Sequence, residues 1–322
     1  MINGKLNKIF LREADRIEIT ILMDNYTDLI LPSSENVKRQ EWFFKAKDNQ
    51  KPPIAEHGLS QLIRIEADDE RHTILMDAGF TEFGTPYNAR SLGIDLSGVE
   101  AIIISHGHND HIGGLEGLLE LISKRPLPLV LHPHALLKTR YTLLKDNRKK
   151  RLIPLDEKAL SKKGFSFVKA ASPYILASGL LSTTGQIDRL NDFEQSLPGV
   201  YMEENGVQKR DLILDDQAIV LILKGKGLVI VSGCAHSGII NTIRHAQMLT
   251  EIERVHAVVG GFHLSGKFYE GKIERTIDEL EHLNPSILVP NHCTGWKALN
   301  SMAKRMPHSF LLSSVGTTFI LM

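Results

Sequence analysis

Apolar and polar positions along this chain follow two rhythms, and the change from one to the other outlines its elements. Short apolar runs at Ile17–Met23, Leu59–Ala67 and His72–Met76 have strand length, and the last ends in the turn signal Asp77-Ala-Gly79. Ala101–Ile104 is too short and too apolar for anything but a buried strand. Gly113–Ser123 then returns apolar residues at helical spacing, and Leu129–His132 resumes a strand. In the last third, strands at Ala218–Leu223 and Leu228–Val231 flank the turn Lys224-Gly-Lys-Gly227. A helix is predicted over Ser237–Leu249, a strand over Val255–Val259, a helix over Glu270–Leu283 and a strand over Ile287–Val289.

A β-rich start followed by two strand–helix stretches predicts an α/β molecule, two sheets packed face to face with helices outside. No linker separates the halves, so one domain is expected over residues 1–322, with inserted loops near 32–53, 138–160 and 189–216. The first insertion carries Trp42, Phe43 and Phe44 and reads as a surface excursion or a lid. The second is basic, from Lys138 and Arg140 to Lys150 and Arg151, and reads as a solvated helix face or a patch for an anionic substrate. The third reads as a loop or arm.

Composition narrows the function classes. The 322 residues carry 38 Lys+Arg against 38 Asp+Glu, so the basic excess of a nucleic-acid binder is missing. With 42% hydrophobic and 24% charged residues the chain has the profile of a soluble globular protein. Only Cys234 and Cys293 are present, too few for a disulfide scaffold, and the sequence MINGKLNKIF lacks the apolar core of a signal peptide. No apolar run approaches a membrane span, and a cytoplasmic protein is expected. Histidine is the departure from average: fourteen are present, and many follow strand-like runs.

The chemistry concentrates in Ser105-His-Gly-His-Asn-Asp-His111, followed by Ile112-Gly-Gly114. Imidazole nitrogens suit Zn²⁺, Fe and Mn²⁺, and a carboxylate beside a histidine can serve a neighbouring ion. Alternate residues of a short extended loop point the same way, so His106 and His108 can take one ion while Asp110 and His111 reach a second. Three histidines and an aspartate between a buried strand and a helix have no packing reason to be there.

This stretch resembles the metal-binding motif of the metallo-β-lactamase superfamily, and the resemblance implies an αββα sandwich of two mixed sheets with a dinuclear site between them. More narrowly, Glu56-His-Gly-Leu-Ser60, Leu214-Asp-Asp-Gln-Ala218, Ser232-Gly-Cys-Ala-His-Ser-Gly-Ile239, Gly260-Gly-Phe-His-Leu264 and Asn291-His-Cys-Thr-Gly295 resemble its dihydropterin synthase branch. Chemistry of that branch joins a dihydropterin methyl group to a ribofuranosylaminobenzene phosphate. The resemblance implies metal ligation by His106, His108, Asp110, His111 and His292, with Asp77 bracing the metal loop through hydrogen bonds. Two positions depart from the superfamily pattern. Gln186, in Thr183-Thr-Gly-Gln186, stands where most members have a histidine, and Cys234 stands where most have a bridging aspartate. A thiolate can ligate soft metals, so Cys234 is a ligand or a buried structural thiol, and the centre holds one ion or two.

His236 and His263 lie in strand-end loops and are expected to face the same cleft as ligands, substrate contacts or, together with Asp110, acid–base groups. His57 and Gln186 are further candidates for contact with substrate or ligands. Asp215 and Asp216 read as shaping a turn. The implied activity is metal-dependent: synthase-like chemistry on a pterin-like or phosphorylated small molecule, or hydrolysis of an ester, lactone or phosphodiester. A protein of another class, binding a pterin or a metal without catalysis, is the alternative. Zinc is the expected metal, with iron or manganese the other options.

Overall fold

Strands that are apolar on both sides have to be covered on both sides, and that requirement organises this molecule. The computed structural model describes residues 8–48, 50–196 and 198–322. Among these, eight strands form a mixed sheet in the order Phe165–Lys169, Leu127–Leu131, Ala101–Ile103, Glu70–Met76, Ser60–Ala67, Arg16–Met23, Thr318–Leu321 and Val37–Lys38. A second sheet runs Ile175–Leu176, Leu181–Thr183, Ala218–Leu223, Gly227–Ser232, Val255–Gly261 and Ile287–Asn291, with Glu13–Ala14 added beside Ala218–Leu223.

The period of two sorts the side chains between layers. Ile17, Ile19, Ile63, Ile65, Ile74 and Ile103 of the first sheet pack between the sheets with Ile219, Leu221, Val229, Val231, Val259 and Val289 of the second. Alternate positions face outward under helices. Leu62, Leu75, Ile102 and Leu129 join Ala89 of the helix Gly84–Leu92, while Val220, Ile230 and Val258 join Ile243, Ile277 and Met302. Those last three sit on the helices Ile239–Thr250, Ile273–Leu283 and Trp296–Arg305. Each fully buried Ile, Leu or Val is worth about 1.5–3 kcal/mol relative to exposure. The result is the αββα sandwich, with helices outside both sheets.

Three segments differ from the sequence expectation. The helix expected over Gly113–Ser123 is instead two short ones, Asn109–Ile112 and Leu115–Leu118, followed by a turn. Its glycines serve close packing: a Cβ on Gly113 would lie 1.7 Å from the Phe80 carbonyl oxygen and one on Gly114 2.1 Å from that of Ala78. The basic segment is not a helix face. Tyr141–Leu143 and Lys149–Arg151 form a hairpin in an antiparallel sheet with Val200–Glu204 and Val207–Arg210, so the second and third insertions build one arm. Asp215 and Asp216 are buried and bonded rather than turn-shaping only, as described below. In the 32–53 insertion, Val37–Lys38 and the short helix Trp42–Lys45 form; Trp42 is half-buried, and the side chains of Phe43 and Phe44 lie outside the described residues. Among the described residues, no helix is long and apolar enough to cross a membrane.

Candidate metal centre

Strand ends gather the polar residues. Ala101–Ile103 leads into His106, Gly227–Ser232 into Cys234 and His236, Val255–Gly261 into His263, and Ile287–Asn291 into His292. Glu70–Met76 is parallel to Ala101–Ile103, and Val255–Gly261 is parallel to both of its neighbours, so these carboxyl ends meet at one edge of the sandwich. Four non-glycine residues there take left-handed backbone, Asp77 (φ 62°), Ala235 (φ 52°), His263 (φ 44°) and His292 (φ 48°). Such conformations cluster where a fixed direction of the side chain matters more than local ease.

Two donor groups form. In the first, His106 Nε2, His108 Nδ1 and His236 Nε2 make a triangle with sides of 2.9, 3.1 and 3.2 Å. In the second, Asp110, His111, Cys234 and His292 each aim one donor atom into a space where all four lie within 4.8 Å of one another. His111 Nε2 is 3.2 Å from Cys234 Sγ and 3.8 Å from Asp110 Oδ2, which is 3.4 Å from His292 Nε2. Cys234, His236 and His263 make a third, overlapping set.

Supporting hydrogen bonds fix which ring nitrogen faces inward. Asp77 Oδ1 accepts the Ser105 backbone N–H at 2.8 Å, and Oδ2 accepts from Ser105 Oγ and His111 Nδ1, both at 2.7 Å. Ser105 Oγ in turn lies 3.0 Å from His106 Nδ1. His292 Nδ1 donates to Asn25 Oδ1 at 3.0 Å, and the His292 backbone N–H donates to buried Asp24. The Nε2 lone pairs of His106, His111 and His292 are thereby left for the centre, the arrangement typical of metal-ligating histidines.

Electrostatics agree with donors arranged for a cation. Burial first, and then the other histidines, hold His106 and His236 well below the ordinary imidazole range, and burial brings His108 to about 4, so all three are neutral. Burial works against charge on His111 as well, but the Asp77 and Asp110 carboxylates outweigh it and raise the group to about 9, so an ion binding at Nε2 has to displace a proton there. Burial raises Asp110, yet His111 and His292 more than reverse that and hold it well below the usual carboxylate range. Burial and neighbouring Cys293 push the Cys234 thiol up, a shift that a cation would reverse. The residues fit a divalent ion: among the described residues the buried His292 Nε2 atom meets only the Asp110 carboxylate, at 3.4 Å, and three neutral imidazoles aim at one point. Tetrahedral Zn–N bonds of about 2.0–2.1 Å put donor atoms roughly 3.3 Å apart, close to the triangle seen here.

The remaining expected residues separate. His57 is exposed at the mouth, with Nε2 3.7 Å from Asp110 Oδ2 and Nδ1 3.2 Å from Asn25 Nδ2. His263 is half-buried, its ring 4.3 Å from that of His236. Gln186 is not brought to the centre. Its backbone N–H bonds to the Ala171 carbonyl, and it lines neither of the clefts described here, because its loop closes onto the backbone of Ala171 and Ser172 at Gly185. His236, from a different strand end, stands with His106 and His108 instead.

Sequence reasoning missed several supports. Asn25 follows the strand Arg16–Met23, and its polar pair with Asp24 was the available signal. Arg140, buried among Asp211 and Asp215, gave none. Its Nε pairs with Asp211 at 2.7 Å, and its two terminal nitrogens pair with Asp215. Asp215 also accepts the Gly107 backbone N–H at 2.8 Å, which ties the arm to the histidine loop. Asp216 accepts the Ser237 backbone N–H at 2.8 Å beside His236.

Residues 57–190 match the model of the metallo-beta-lactamase superfamily. A 7,8-dihydropterin-6-methyl-4-(beta-D-ribofuranosyl)-aminobenzene-5'-phosphate synthase of Methanocaldococcus jannaschii is 32% identical over 266 residues, 80% of this chain and 88% of the relative. The chain belongs to the metallo-beta-lactamase superfamily. A second relative, an uncharacterized protein of the same organism, is 30% identical over 82% of this chain and 93% of its own length. In fold, the chain is similar to a crystal structure described as a metal-dependent hydrolase of the beta-lactamase superfamily, at 24% identity and TM-score 0.71, covering 95% of this chain and 98% of that one.

Proposed function

We propose that this protein is a metal-dependent enzyme with two adjacent ion sites, acting on a pterin-like or phosphorylated small molecule in synthase-like chemistry. The observation that carries the reading is the side-by-side placement of the two donor groups, His106, His108 and His236 next to Asp110, His111, Cys234 and His292. Likeness to the dihydropterin-related synthase supports the substrate class. A thiol among imidazoles favours zinc over iron or manganese. Two free buried cysteines fit a reducing cytoplasm.

Divalent ions held there supply charge stabilisation at a substrate oxygen and acidify water. The chain's own groups do the rest. Asp77, Ser105 and Asn25 hold His111, His106 and His292 in the tautomers that face inward. His236, grouped with His106 and His108, serves as a ligand rather than a base. His263, whose Nδ1 has no hydrogen-bond partner among the described residues, is the imidazole left to move a proton or meet substrate. Asp110 lies between the centre and His57, where a carboxylate can orient a reacting group.

The same donors suit hydrolysis, and the test separates the readings. Purified protein loaded with zinc, manganese or iron would be assayed with a dihydropterin whose 6-methylene carbon carries a diphosphate leaving group plus a phosphorylated aminobenzene riboside, diphosphate being released as the new bond forms, and with ester, lactone and phosphodiester panels. Condensed product supports the proposal. Turnover only in the panels replaces it with the hydrolase. Stoichiometric pterin binding without turnover under any metal makes the protein a binding protein.

A further inference from the structure

Beside the metal centre lies a larger cleft of about 810 Å³, inside the range of small-molecule sites. It shares His57, His108 and Asp110 with a smaller cleft of about 400 Å³ lined by Cys234, His236 and His292, so the two spaces adjoin at those residues. One wall comes from the metal motif and its neighbour Phe80, the other from Lys150–Leu155 at the base of the arm. Two large apolar side chains are left uncovered here, Phe80 at 50% and Ile153 at 73% exposure. Large apolar groups exposed on facing walls of a concave site mark a surface that a ligand covers.

Charge gives the ligand its other end. Lys150 lines the cleft and among the described residues makes no ion pair, whereas Lys149 and Arg151, on the other face of the same strand, both reach Glu203. Most acidic residues of the cleft are engaged elsewhere. Glu116 pairs with Lys163, Asp156 accepts the Ala159 N–H to cap the helix Glu157–Lys162, and Asp110 belongs to the donor group, which leaves Glu82 as the unengaged acid.

The arm wall is fastened to the metal motif. Asn109, between His108 and Asp110, donates from Nδ2 to the Ile153 carbonyl at 2.9 Å and accepts the Ile153 N–H at 3.2 Å. Arg140 and Asp215 make the second tie, at Gly107. Both walls therefore keep their spacing relative to the donor atoms, as a site that measures its substrate requires.

We propose that this cleft binds the non-reacting part of the substrate: an anionic small molecule with an aromatic body, the body between Phe80 and Ile153 and a phosphate or carboxylate on Lys150. It rests on the metal-centre reading only for placing the reacting end near Asp110. The test is calorimetric binding of phenyl phosphate, inorganic phosphate and phenol to the full chain, zinc-loaded and chelator-stripped. Phenyl phosphate is expected to bind tightest in both states, with affinity falling roughly tenfold, about 1.4 kcal/mol, in Lys150→Glu and in the surface variant Ile153→Asp. Affinity that is unchanged in both variants overturns the proposal. So does binding that vanishes on stripping zinc while Lys150→Glu has no effect, because the anion then sits on the metal. A chain that retains no metal yet binds phenyl phosphate through Lys150 refutes the metal reading and leaves this one standing.

Discussion

Asp77 is fully buried, sits in left-handed backbone, and accepts three hydrogen bonds, from Ser105 twice and His111 once. Its conformation costs of order 1–3 kcal/mol, which the surrounding structure has to over-determine. In return it fixes two residues of the histidine loop at once. Asp77→Asn keeps the shape but cannot accept all three bonds, so metal affinity is expected to fall about 10–100-fold in chelator competition with zinc. Equal affinity would remove Asp77 from the support of the centre. At this scale the sequence was readable wherever spacing alone brings residues together, as in His106, His108, Asp110 and His111. The grouping of His236 with His106 was not readable, because only the packing of two sheets joins strand ends 130 residues apart.

At the scale of elements, strands read better than helices. Strands buried on both faces leave continuous apolar runs, and Ile17–Met23 and Ala218–Leu223 fall within or on the observed strands Arg16–Met23 and Ala218–Leu223. The Gly113–Ser123 stretch misled because its glycines, chosen for backbone contact with Ala78 and Phe80, interrupt a helical spacing that its leucines maintain. The basic arm misled for a different reason: counted as charge, Arg140 looks like its solvated neighbours, yet it is buried between Asp211 and Asp215. Removing one partner of a buried pair leaves uncompensated charge, so Arg140→Met is expected to destabilise the fold by about 3–5 kcal/mol in urea denaturation. Loss below about 1 kcal/mol, the value of a surface pair, would mean that the arm is not anchored through this residue.

Over the whole molecule, neutrality and low cysteine content matter less than where the histidines lie. His106, His108, His111, His236, His263 and His292 reach one edge of the sandwich, with His57 at its mouth, whereas His245 and His256 are buried away from it. The arm and the sandwich meet where Asp215 accepts the Gly107 N–H and where Ile153 bonds Asn109, both within the metal motif. The most direct test of the central claim is elemental analysis of the purified, dialysed protein beside His108→Ala and Cys234→Ser. The two-group centre predicts about two ions per chain, falling to about one in each variant. A chain that binds no metal, or one whose content is the same in all three proteins, would contradict it.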